Sequence, residues 1–83
     1  MAETTGLVQQ LAVFSGPIAC AWIGPTSTNT EVLVVANDGT AADIAFAGSL
    51  IQALAAAATN FRAVVASHGD TDAAITSLNI DPV

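Results

Sequence analysis

From Ile44 to Phe61 no residue of this chain carries a charge, and Arg62, just beyond, is the only basic side chain in its 83 residues. Hydrophobic residues make up 53% of the sequence and charged ones 10%, against a soluble-domain norm of roughly 25% charged. A small domain has an unfavourable surface-to-volume ratio and cannot bury that much apolar surface alone. Something else must cover the excess, whether sister subunits, a partner or a bilayer. The sequence therefore says more about assembly than about chemistry.

Eighty-three residues make a single domain, 1–83, with no room for a second core. A formal net charge of −6 with one Arg and no Lys argues against nucleic acid, because phosphate neutralisation needs several basic groups. The same deficit argues against docking on anionic membranes. Cys20 stands alone, so no internal disulfide is possible and no oxidising compartment is required. No secretory signal is legible: Met1–Gly6 is acidic and polar and lacks a basic start, which makes the cytoplasm the default expectation.

Punctuation falls at Gly16-Pro17, Gly24–Thr30, Asn37-Asp38-Gly39 and Gly69–Asp72, all rich in turn residues. Ile18–Ile23 and Glu31–Ala36 read as strands joined by the seven-residue polar loop 24–30. The run Val32-Leu33-Val34-Val35 suits a strand covered on both faces. Thr40-Ala41-Ala42-Asp43 has the form of a capping box, with a carboxylate favoured at the helix start. A helix over Ala41–Thr59 follows, rich in alanine, the best helix former. Phe46, Leu50 and Leu54 with Ile44 and Ile51 form the stripe expected to cover a sheet.

After Asn60, the segment Phe61–Ser67 fits either a helix extension or a strand, and its paired valines favour the strand. Thr76, Leu78 and Ile80 alternate with Ile75, Ser77 and Asn79 as a final strand before Asp81-Pro82. Leu7, Val8, Leu11 and Phe14 fit a short helix as well as a strand. A strand over Gln10–Phe14 behind a mobile N-terminus, residues 1–9, is the slightly better fit. The expected fold is α+β: a four-strand sheet in the order strand-strand-helix-strand-strand, with one long Ala-rich helix on one face.

Candidate sites are few. His68, Asp70 and Asp72 form the densest titratable cluster, and imidazole with carboxylates suits several divalent metals. Turn chemistry explains the same residues without a metal, so no metal site is assigned. Cys20 and His68 are the only available thiol-imidazole pair, and nucleophilic catalysis would need them within hydrogen-bond reach. There is no Gly-x-Ser-x-Gly elbow, phosphate loop or dinucleotide fingerprint. No catalytic residue and no cofactor are expected.

The helix carries a second repeat. Ala45, Ser49, Ala53 and Ala57 recur every four residues where a solvated helix usually shows Glu and Lys, and such small-residue ridges let helices approach closely. A bilayer span is disfavoured, because Ser49, Gln52 and Asn60 interrupt the run and no basic cluster marks an inside. The leading expectation is a non-catalytic subunit of a homo-oligomer, a ring, shell or filament, partnered by itself through strand edges and the Ala45/Ser49/Ala53/Ala57 face. The alternative, from another class, is a small accessory domain holding a partner or ligand near Trp22 and the 24–30 loop.

Overall fold

A computed structural model describes residues 2–80. Five strands and one helix follow in the order β1 (Ala2–Phe14), β2 (Ile18–Thr26), β3 (Asn29–Val35), α1 (Ala41–Thr59), β4 (Ala63–His68) and β5 (Ile75–Ile80). The sheet order is β3-β2-β1-β4-β5, and every neighbouring pair is antiparallel. Because α1 carries the chain across to set β4 beside β1, the spatial order β4-β1-β2-β3 is a Greek key.

The sheet curls back on itself. Val34 N–H donates to the Ala73 carbonyl at 2.8 Å, and Val34 bridges Ala74 in parallel, so β3 meets the segment leading into β5. The result is a partly closed barrel. Alternate side chains point inward along each strand: Ala19, Ala21 and Ile23 from β2, Leu33 and Val35 from β3, Val64 and Ala66 from β4 are all fully buried. Ala47, Leu50, Leu54 and Ala57 of α1 complete this core.

The four-strand expectation is short by one, and the missing strand is the central one. Ala2–Leu7 pairs with β4 and Leu7–Phe14 pairs with β2, so residues 2–9 belong to the central strand. The handover between partners needs glycine. Gly6 has φ 152, and a Cβ there would lie 2.7 Å from the Gly24 carbonyl carbon. A Cβ on Gly24 would come within 2.0 Å of the Asn29 carbonyl oxygen. Two side-chain-free positions let the backbones of β1, β2 and β3 close up where β1 changes partner.

The seven-residue loop 24–30 is also corrected. Gly24-Pro25-Thr26 continues β2 and Thr26 pairs with Asn29, leaving only Ser27 and Thr28 to turn the hairpin. A register shift between Ile23 and Thr26 accommodates Pro25, which donates no ladder hydrogen bond.

Helix α1 has the expected bounds and cap. The Thr40 hydroxyl accepts from Asp43 N–H at 3.3 Å, and the Asp43 carboxylate accepts from Asp38 N–H at 2.8 Å. Its exit is a Schellman turn: Arg62 N–H donates to the Ala57 carbonyl at 2.9 Å and Phe61 N–H to the Ala58 carbonyl at 3.4 Å. Phe61, at φ 55, holds the left-handed position normally given to glycine.

The covering stripe differs from the expected one. Leu50 and Leu54 are buried, but their companions are Ala47 and Ala57, while Ile44 and Phe46 stay exposed. A large side chain at every position of the stripe would hold the helix away from the barrel; alanine lets it lie close.

Candidate functional site

At one end of the barrel, a cleft of ≈ 210 Å³ opens between β3 and the β4–β5 loop, lined by Glu31, Leu33, His68 and residues 69–73. Three strands supply its polar core. Thr4 on β1 and His68 on β4 face inward beside Ala66 and Val64, and Glu31 reaches across from β3. The Thr4 hydroxyl contacts His68 Nε2 at 2.9 Å and donates to the Glu31 carboxylate. His68 Nε2 lies 3.7 Å from that same carboxylate oxygen. His68 Nδ1 faces the Gly69 carbonyl at 2.9 Å.

The proton positions follow from the partners. A carbonyl only accepts, so Nδ1 carries a hydrogen. The single hydroxyl hydrogen of Thr4 goes to the Glu31 carboxylate while Thr4 Oγ1 also lies 2.9 Å from His68 Nε2, so Thr4 is the junction of the cluster. Thr4 and His68 are nearly closed off from water, whereas the Glu31 side chain is 56% exposed.

This order of groups is not that of a hydrolase triad. There the carboxylate orients the imidazole from Nδ1 and the hydroxyl stands free to attack. Here a backbone carbonyl holds Nδ1, the carboxylate sits on the hydroxyl, and the hydroxyl is buried. The cluster pins β1, β3 and β4 together at the barrel mouth.

Asp70 and Asp72 line the same cleft, so the structure does gather the expected His68, Asp70 and Asp72 at one place. Asp72 serves its own turn by accepting from Ala74 N–H at 2.5 Å. Among the described residues no three His, Cys, Asp or Glu side chains converge into a metal-binding group. Cys20 and His68 are not brought together. Cys20 is half-buried on β2 and lies on the outward side relative to its buried neighbours Ala19 and Ala21, while both His68 nitrogens have other partners. Trp22 shares that outer side, half-buried and paired with Val32 and Gln10.

The four-residue ridge on α1 is not one face. Each four-residue step turns about 40° beyond a full circle, so the ridge winds from open to covered. Ala45 and Ser49 are exposed, Ala53 is half-buried, and Ala57 is buried in the protomer's own core. By length and composition α1 is apolar enough to cross a membrane; in this fold its Ala47-Leu50-Leu54-Ala57 side lies on the barrel.

Thr4 and Glu31 escaped the sequence reading. They meet across 27 residues, and Thr4 meets His68 across 64, so no local spacing announces them.

Away from the cleft, the Asp38 carboxyl is perturbed. The Thr40 hydroxyl and amide both donate to Asp38 Oδ1, at 2.7 and 3.0 Å, and hold the exposed Asp38 carboxyl below its ordinary value. Comparison with known protein families, with curated proteins and with solved structures finds no match for this chain.

Proposed function

We propose that this chain is a non-catalytic, self-assembling subunit of a homo-oligomer. The observation that carries the reading is the apolar surface left on the folded protomer. Val13, Phe14 and Ile18 on the β1–β2 hairpin, Ile44 and Phe46 on α1, and Phe61 at its exit are all exposed. Single exposed apolar residues are ordinary, but large apolar side chains in number on so small a surface mark contact regions. Asn37 links two of these groups, since its side chain donates to the Gly16 and Pro17 carbonyls and so holds the helix entry against the hairpin that carries Phe14 and Ile18.

Small five-strand Greek-key barrels host unrelated tasks, oligonucleotide binding among them. One basic side chain against seven acidic ones disfavours that use here, because affinity for phosphates rests on cations.

Light scattering coupled to size-exclusion chromatography tests the proposal. A protomer-multiple mass that grows with concentration supports it. A clean monomer at high micromolar concentration overturns it.

A further inference from the structure

Arg62 and four of the carboxylates among the described residues stand at opposite ends of β4. Arg62, the only basic side chain, immediately precedes Ala63, where β4 begins. His68 ends the strand, and the cleft lined by Glu31, Asp70 and Asp72 opens there. Glu3, in register with Ser67, adds a further carboxylate at that end. Six residues of strand separate the two ends by about 20 Å.

Beside Arg62 stands Phe61, 82% exposed, the most exposed large apolar side chain described. It is an aromatic where the chain turn normally takes glycine, and the protomer's own core makes almost no use of its ring. At the other end the acidic cleft has an accessible apolar wall from the half-buried Ala73, with the buried Leu33 behind it. One end thus offers an aromatic knob next to a guanidinium; the other offers a small hollow with an alanine wall and a carboxylate rim.

We infer that Phe61 and Arg62 of one copy dock into the Glu31/Asp72/Ala73 cleft of the next, so that copies join head to tail. The inference rests on the self-assembly reading above and names the surfaces it uses. Two chains of net charge −6 repel one another on average, so contact is favoured where unlike ends meet. Joining two acidic ends sets carboxylates against carboxylates, and joining two Arg62 ends sets cation against cation. Only the unlike pairing is complementary, and complementarity of this kind selects partners and register. A guanidinium meeting carboxylates forms directed, charge-assisted hydrogen bonds, and an aromatic with an arginine is the usual composition of an interface anchor. A contact between different ends is heterologous, and it propagates as a ring or a filament according to whether the rotation closes.

Two variants that each block one end provide the test. Phe61→Ser with Arg62→Glu removes the knob, and both changes fall at the helix exit outside the buried core. Thr71→Arg fills the cleft from an exposed loop position and leaves Thr4, Glu31 and His68 in place. Circular dichroism and melting of each variant confirm that the protomer fold is kept. By light scattering and sedimentation, each variant alone is expected to associate at least about 30-fold more weakly than the parent chain, as for loss of an anchor residue. Mixed in equal amounts, the two retain one intact pair of ends and are expected to form a dimer and nothing larger. If the parent assembles and either variant keeps its mass, or the mixture stays monomeric, the head-to-tail contact is wrong while self-assembly stands. If the parent chain is itself a monomer at high micromolar concentration, both readings fall.

Discussion

Replacing Thr4 by valine keeps the shape of the side chain and removes one hydroxyl. Thr4 is 9% exposed and the His68 side chain 8%, so bulk water does not freely replace the lost contact with Nε2. The Glu31 carboxylate, more than half exposed, can be rehydrated and contributes little to the loss. The cost is then that of one buried polar atom left without a partner, about 1–3 kcal/mol. For a domain of this size that lowers the melting midpoint by on the order of 10 °C. Urea unfolding at fixed protomer concentration, with an unchanged slope, is the assay. The decisive comparison adds His68→Leu. Removing both partners of a buried hydrogen bond is far less costly than removing one, so the double variant should be more stable than the sum of the single effects by about 1 kcal/mol or more. Additivity within about 0.5 kcal/mol would refute the reading of Thr4 and His68 as one coupled unit.

Three further outcomes follow from the fold. Gly24→Ala should destabilise by about 1–3 kcal/mol or more, because its Cβ would meet the Asn29 carbonyl oxygen at 2.0 Å; thermal melting checks it, and an unchanged midpoint would mean that β2 and β3 do not approach so closely. On α1, Leu54→Ala should cost about 2–5 kcal/mol and Ala57→Leu should also destabilise the protomer, whereas Ala45→Leu should leave the dilute protomer within about 0.5 kcal/mol; denaturant titration separates them. The lowered Asp38 carboxyl stabilises the folded state above its unfolded-state value, near pH 4, and that contribution disappears as pH falls through the still lower folded value. Asp38→Asn should accordingly flatten the acid limb of the stability profile, and an unchanged limb would remove Asp38 from the account.

How much of this molecule is legible in its sequence depends on how far apart the responsible residues lie. Helix α1 runs from Ala41 to Thr59 as read, because its signals are local: a Thr cap three residues before Asp43, a run of alanines, an Asn at the end. The strand character of residues 18–23, 31–35 and 75–80 was equally legible from β-favouring runs between turn residues. Nearest-neighbour chemistry decides such features, and a sequence displays it directly.

Placement was decided elsewhere. Residues 2–14 have a pattern that suits helix or strand, and only the edges offered by β2 and β4 make them the central strand. The shortness of the β2–β3 turn depends on Gly24 packing against Asn29, seen only once the strands are paired. Burial on α1 followed the barrel's shape: alanines at 47 and 57 let the helix approach, and Phe46 was left outside. The Thr4–His68–Glu31 junction joins three strands that are distant in the chain, so no periodicity could signal it. Local propensity determined which segments of this chain are helix and strand; long-range packing, which weighs every partner at once, determined what they cover and which polar groups meet.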